Sequence, residues 1–216
     1  MNYKDYQEFN TEKSKCRKCA VGTYYNRVVC SVGNLVNPIY LICGEAPGET
    51  EVEKGQPFCG PAGKILREEL IKNDLNKDNT VITNTIPCRP YKNQFPSDKN
   101  MVASCINMWL LNEITLLKPR FILLLGSTAV KYVLGSTRPI TEIRGQVHQF
   151  LHITTPDNTD SFSDSYNLNI KTIVTFHPSY LLRNGESEFG LHLRELFNSD
   201  IKKFKNFIDN SDNPTF

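Results

Sequence analysis

Ile39-Tyr40-Leu41-Ile42-Cys43 runs straight into Gly44-Glu45-Ala46-Pro47-Gly48, and a little further on the chain reads Pro57-Phe58-Cys59-Gly60-Pro61-Ala62-Gly63. An apolar run that ends in two glycines and a proline describes a buried strand stopping at a turn. In open α/β folds such a strand delivers its next residues to the carboxyl edge of the sheet, where ligands bind. Glu45, between Gly44 and Gly48, therefore lies where chemistry is expected. Phe58 sits between a proline and glycines, in a segment too irregular to bury it within a regular element. It reads either as a hydrophobic plug under a loop or as a ring at the rim of a pocket, ready to stack on something flat.

Strand and helix signals alternate on both sides of this stretch. Before it, residues 3–15 read as a short helix and residues 21–37 as irregular strand and loop. After it, Pro61 suits a first helical turn, and Ile65, Leu66, Leu70 and Ile71 give one apolar face to a helix ending near Asn73. Residues 80–85 are β-branched and predict a second strand with Asn84 at its tip, broken by Pro87-Cys88-Arg89-Pro90. Residues 97–117 predict a long helix, apolar nearly all round and so largely buried, with Trp109 in the core. The all-apolar run 121–125 fits a central parallel strand, ending in Gly126-Ser127 before a helix through Leu134. An extra strand is read over 146–153, and a long exposed loop over the polar stretch 154–169. The last strand, 171–176, ends in His177-Pro178-Ser179-Tyr180-Leu181-Leu182-Arg183. An amphipathic helix over 189–208 and a frayed tail over 209–216 complete the chain. The alternation predicts a three-layer α/β/α sandwich around a mainly parallel four-stranded sheet, and no internal repeat is visible.

A chain of 216 residues with 39% hydrophobic content suits one well-buried core, so residues 1–216 are read as one domain. Twenty-five Lys and Arg against 23 Asp and Glu leave +2, which neither demands nor excludes a polyanionic partner. The polar start carries no apolar leader and no run approaches a membrane span, so the reading is a soluble intracellular protein without a membrane partner. Nothing in it demands more than a monomer.

Seven cysteines, an odd count without an export signal, argue for metal ligation or buried thiols over a disulfide framework. Cys16 and Cys19 form a C-x2-C pair, and Cys88 and Cys105 can complete a set of four. Four thiolates suit either zinc or an iron-sulfur cluster, and the spacing does not choose between them. Equally open on the pattern is a site in which only the pair binds and Cys88 and Cys105 are ordinary buried thiols. Cys30, Cys43 and Cys59 have no partner pattern and read as core or loop thiols.

Taken together these residues resemble the family 4 uracil-DNA glycosylases, the type that carries an iron-sulfur cluster. Gly44-Glu45-Ala46-Pro47-Gly48 resembles the family's first motif, Pro57-Phe58 with Gly60-Pro61-Ala62-Gly63 its stacking segment, and Thr83-Asn84 with Cys88-Arg89-Pro90 its base-reading strand and third cluster ligand. Cys105, Arg144-Gly145 and the run from His177 to Arg183 supply the other landmarks. The resemblance implies a 4Fe-4S cluster on Cys16, Cys19, Cys88 and Cys105, with a structural and DNA-positioning role. It puts Phe58 under the uracil ring, Asn84 on its polar edge, Glu51 where a thymine methyl would clash, His177 beside the departing base and Leu181 as the wedge in the duplex. Cys59, Pro87 and Phe176 depart from the family's usual residues next to these positions. No insertion rich in Arg and His follows Cys88, so ordinary turnover is expected rather than covalent trapping on DNA.

The implied partner is uracil-containing DNA, and the chemistry fits the residue types. Cleaving uracil from deoxyribose places negative charge on the base and positive charge on the sugar, so electrostatic stabilisation is the main lever. His177, neutral, can donate a hydrogen bond to the base oxygen, and Glu45 can orient water and offset charge on the sugar. One carboxamide, Asn84, both accepts from uracil N3-H and donates to O4. The base must first be extruded from the stack. Phosphate contacts are expected from amides near Gly48 and Ser179 and from Lys64, Arg89 and Arg183. His148, His152 and His192 match no motif and read as surface or strand residues. Two other functions remain open on the sequence: a non-catalytic DNA-binding or replication-associated module of the same fold, and a glycosylase of wider deaminated-base scope.

Overall fold

The computed structural model describes residues 3–150 and 170–212. Its strands are β1 (Val32–Gly33), β2 (Tyr40–Gly44), β3 (Thr80–Asn84), β4 (Phe121–Leu125), β5 (Val147–Gln149) and β6 (Lys171–Thr175). They form one six-stranded sheet in the order β1-β3-β2-β4-β6-β5. The four inner strands are parallel to one another, as the apolar runs predict. The sheet nevertheless has six strands rather than four, because β1 and β5 add short antiparallel edges. A two-residue strand ending in glycine has no alternation to read, so β1 left no periodic signal.

The helices are α1 (Tyr6–Ser14), α2 (Ala20–Tyr24), α3 (Glu49–Lys54), α4 (Pro61–Lys72), α5 (Lys99–Ile106), α6 (Asn112–Leu117), α7 (Ser127–Val133), α8 (Ile140–Ile143), α9 (Pro178–Asn184) and α10 (Glu188–Asp212). Asp98 caps α5 by accepting from the amides of Asn100 and Met101. A π turn, Asn107–Leu111, joins α5 to α6, so the long helix read over 97–117 is one rod with a widened middle. Trp109 is buried there against Phe9, 5.8 Å between ring centroids. The last helix continues to Asp212, past the point where a frayed tail was expected. His152, the stretch 154–169 and the outer part of the strand read over 146–153 lie outside the described residues. Among the described residues no helix is long and apolar enough to cross a membrane.

Alternation along the inner strands divides the core in two. Tyr40, Ile42, Phe121, Leu123 and Leu125 face a layer containing α4, α9 and α10. Leu41, Cys43, Ile122 and Leu124 face the opposite layer of α5, α6, α7 and α8. Both faces of the parallel sheet are therefore covered, which is the sandwich the alternation predicts. The amino-terminal α1 is anchored by a buried ion pair, Lys13 Nζ to Glu113 Oε2 at 2.9 Å, with Tyr6, Ser31 and Thr83 hydrogen-bonded into the same network. Burial works to raise the Glu113 carboxyl, but Lys13 and the surrounding donors outweigh it and hold it below the ordinary value.

Register decides what shares an edge. Gly44 pairs with Asn84, and Leu125 with Thr175, so the carboxyl ends of all four parallel strands are level. The chain order places the reversal of direction between β2 and β4, where crossovers leave to opposite sides and a crevice opens. Glu45 and Gly126 follow directly from two of these strand ends, and His177 lies two residues past a third.

Candidate active site

Phe58 has φ of +52°, a left-handed conformation that a bulky side chain rarely adopts. Such a residue costs on the order of 1–3 kcal/mol and persists only where its surroundings over-determine it. Here three neighbours do so. Gly63 lies so close that a Cβ on it would overlap the Phe58 carbonyl, which Arg67 also engages through Nη1. Glu51 spans the two glycine turns, accepting from the Gly60 amide at 2.7 Å and the Gly48 amide at 3.2 Å. The ring is buried, and it passes so close to Gly44 that no side chain fits there. The choice between plug and pocket rim resolves as both: Phe58 belongs to the core cluster and also lines a cavity.

That cavity, of about 570 Å³, opens at the level strand ends and is lined by Glu45, Glu51, Phe58, Asn84 and His177. Two of its polar atoms are buried without a hydrogen-bond partner among the described residues: Asn84 Oδ1 and His177 Nε2. Buried polar groups in native proteins are nearly always paired, so these two atoms stand out as groups able to take a hydrogen bond from inside the cavity. The Asn84 carboxamide lies against Gly44, whose missing Cβ would stand 2.7 Å from Oδ1.

His177 is held as a donor. Its Nδ1 accepts from the Ser179 amide at 3.2 Å, capping α9, and lies 2.8 Å from Ser179 Oγ. An Nδ1 lone pair committed to an amide leaves the proton of the neutral ring on Nε2, the atom without a partner. Burial, helped by the charge of Arg183, pushes the imidazole down to about 4, so the ring is neutral at physiological pH. The Phe58 and His177 ring centroids are 5.7 Å apart, with the ring planes inclined at 33°. Gly126, at φ of +91°, makes this possible, since a Cβ there would stand 2.9 Å from the His177 Cβ.

Glu45 sits on the cavity wall with Oε2 accepting from Thr128 Oγ1 at 2.5 Å. Thr128 escaped the sequence reading although it lies just past the β4 tip, and that position was its only signal. Arg67 and Asp200 were missed as well. Asp200, fully buried in α10, accepts two hydrogen bonds from Arg144 at 2.9 and 2.7 Å and one from Thr175 at 2.7 Å. Arg144 also stacks on Phe176, 5.5 Å from its ring centre, so the landmark Arg144-Gly145 braces the link between β6 and His177.

The residues expected to contact DNA differ in exposure and in the partners they already have. Leu181 is fully buried among the core residues beneath α9, so it does not stand ready as a wedge, while Leu182 beside it is 45% exposed. The Gly48 amide is already taken by Glu51. Arg89 is tied to Glu49 at 3.1 Å and Asn93 at 2.9 Å and stacks on Tyr25, leaving little of it for phosphate. Lys64 is exposed but lies away from the lining, 3.9 Å from Glu68. Arg183 is exposed on the cavity rim and donates to Ser179 Oγ at 3.2 Å. Ser179 thus serves His177 first. His148 approaches the Ile143 carbonyl at 3.2 Å in β5, and His192 lies exposed on α10 near Glu195.

All seven cysteines are free thiols. Cys16, Cys19, Cys88 and Cys105 form one neighbourhood: burial and then the Cys16 and Cys19 charges push Cys88 up to about 12, and burial with the other three thiols raises Cys105. Gly22 packs onto them, its missing Cβ 3.7 Å from Cys88 Sγ. Among the described residues no group of three or more His, Cys, Asp or Glu side chains is gathered closely enough to hold a single ion. Cys43 is buried in β2 and likewise pushed up to about 12, and Cys59 donates to the Thr50 carbonyl.

Comparison with known proteins places the chain among its relatives. Residues 30–202 match the family model described as the uracil DNA glycosylase superfamily. The chain is 35% identical over 195 residues to a type-4 uracil-DNA glycosylase of Thermotoga maritima, covering 90% of each chain. It is 30% identical to the type-4 enzyme of Archaeoglobus fulgidus, over 89% of this chain and 87% of that one. With the type-4 enzyme of Pyrobaculum aerophilum the identity is 28%, over 93% and 97%.

Proposed function

We propose that this chain, which belongs to the uracil DNA glycosylase superfamily and to its type-4 group, hydrolyses the bond between uracil N1 and deoxyribose C1′ in DNA, releasing uracil and leaving an abasic site. The observation that carries this reading is the pair of unpartnered buried atoms, an acceptor on Asn84 and a donor on His177, in the cavity that the Phe58 ring also lines. A flipped uracil satisfies both. Its N3-H donates to Asn84 Oδ1, and its O2, beside the bond that breaks, accepts from His177 Nε2-H.

As the N1–C1′ bond breaks, its electron pair goes to the base and spreads onto O2. A neutral donor fixed beforehand stabilises that charge without reorganising, and removing one such donor typically costs about 10²- to 10³-fold in rate. Glu45, steadied by Thr128, positions a water at C1′ and offsets the cationic sugar; the water supplies hydroxide to C1′ and its proton goes to solvent or to the uracil anion. Glu51, locked between two amides, gives the pocket a rigid side against a bulkier pyrimidine. Arg183 is placed to meet phosphate, and Leu182 to press into the space a flipped nucleotide leaves.

The four-thiol neighbourhood suits a 4Fe-4S cluster on Cys16, Cys19, Cys88 and Cys105. Four soft thiol donors in one neighbourhood are the ligand set such a cluster takes. When bound, the cluster supplies a cross-link that fixes the amino-terminal segment to the β3 exit and to α5. Seven free thiols suit a reducing intracellular compartment, and a cavity closed by one chain is complete in a monomer.

The deciding assay is incubation with a uracil-containing oligonucleotide followed by alkali. Strand cleavage at the uracil, abolished by a uracil-free control, is expected. A protein with bound iron and the broad visible absorption of an iron-sulfur group that leaves the strand intact refutes the reading, and a colourless zinc-loaded protein refutes the cluster.

A further inference from the structure

Beside the thiol neighbourhood, three tyrosines from two separate segments meet at the surface. Tyr24 packs edge-on against Tyr25 at 4.7 Å and against Tyr91 at 4.6 Å between ring centroids. Cations close both ends of the row: the Arg89 guanidinium lies 4.8 Å from the Tyr25 ring centre and Lys92 Nζ 5.3 Å from that of Tyr91. Yet the middle ring and one end ring are not buried by this packing, Tyr24 being 56% and Tyr91 49% exposed.

The turn that presents Tyr91 is held in an unfavourable shape. In the single 3₁₀ turn Tyr91–Asn93, both Lys92 and Asn93 have left-handed φ, 50° and 59°. Asn93 is fixed there by Arg89 Nε at 2.9 Å. Strain that holds an aromatic ring out in solvent gains no core packing, and such strain gathers at binding sites. The position is also informative, because Pro90 and Asn93, on either side of Tyr91 and Lys92, line the same cavity as Asn84 and His177.

We propose that Tyr24 and Tyr91, with Lys92, form a stacking platform for unpaired bases flanking the target nucleotide, so that the protein grips single-stranded DNA more tightly than duplex. The proposal rests on the uracil-excision reading for the position of the target. Aromatic faces edged by a cation take any base, since every base has a π-face, while Lys92 meets the backbone. In a duplex the flanking bases are already stacked on one another and offer no free face. Continuity with the cavity and the exposed positive charge of Lys92 select this occupant, and Arg89 offsets the acidic Glu49 beside it.

The test measures fluorescence anisotropy of a labelled, uracil-free thymine oligonucleotide and of a mixed-sequence duplex of equal length. Wild type is compared with Tyr24→Ala/Tyr91→Ala and with Tyr24→Phe/Tyr91→Phe. The Ala pair is expected to bind the single strand about tenfold or more weakly, the duplex less than twofold more weakly, with the Phe pair close to wild type. Equal single-strand affinity for wild type and the Ala pair overturns the proposal, as does an equal loss on both DNAs or a Phe pair as weak as the Ala pair. Should the Ala pair melt below wild type, Tyr91→Ser on the exposed turn is read by the same criteria. Uracil release by wild type is assayed in parallel: its absence counts against the excision reading, while the binding comparison still decides the platform.

Discussion

Acid should unfold this protein partly through His177, and the size of the effect follows from its surroundings. In the unfolded chain the imidazole takes up a proton near its ordinary pKa of 6.5, whereas in the folded protein burial and Arg183 hold it down to about 4. Above 6.5 both states are neutral and the group leaves stability untouched. Between 6.5 and 4 only the unfolded state binds the proton, so stability falls as the pH falls, by about 3 kcal/mol across the window at about 1.4 kcal/mol per pH unit. Replacing His177 with Gln removes this titration, at a pH-independent cost of about 1 kcal/mol for the lost α9 cap. Urea unfolding of both proteins at stepped pH should therefore give stability curves that converge and then cross on acidification, the wild type losing about 3 kcal/mol more than the variant. Uracil release by the variant at neutral pH should be slower by about 10²- to 10³-fold. Parallel stability curves would mean that the ring is solvated and free to protonate, and the account of it as a fixed neutral donor would fail.

Asn84→Leu removes the unpartnered Oδ1 from a buried position. Thermal unfolding should show unchanged or higher stability, by up to about 1 kcal/mol or roughly 2–4 °C, while uracil release is largely lost; a less stable but fully active variant contradicts the assignment. Gly63→Ala forces a methyl into the Phe58 carbonyl, so the left-handed turn must give way. A rise in KM for uracil-containing substrate with a lower melting temperature is expected, and wild-type kinetics would show that the turn does not hold the ring. Lys13→Met leaves the Glu113 carboxylate buried without its cation and should cost about 3–5 kcal/mol in denaturant unfolding. A loss below about 1 kcal/mol would show that water reaches the pair.

Much of the architecture was legible in one dimension because the information is local. The runs 39–43, 80–85, 121–125 and 171–176 announce strands by composition, and the glycines and prolines after them announce where strands end. Since parallel strands place all their carboxyl ends on one edge, Glu45, Asn84 and His177 converge as a consequence of topology, and a reader of the sequence can anticipate that convergence. The chemistry of an imidazole, a carboxamide and an aromatic ring is likewise carried by residue type.

Orientation is different, because it depends on contacts between residues far apart in the chain. Leu181 and Leu182 are indistinguishable as letters, and only the packing of α9 buries one and exposes the other. That Thr128 steadies Glu45, that Arg67 and Gly63 hold Phe58 in a left-handed turn, and that Asp200 clamps Arg144 are pairings that no periodicity encodes. The sequence alone determined the alternation of strand and helix, the edge on which the reactive groups lie and their chemical kinds, since these follow from local propensity and chain order. Only the tertiary structure decided which atoms of those groups are left unpaired, which proton His177 carries and which surface stands beside the cavity, since burial and hydrogen-bond geometry arise only when distant segments are brought together.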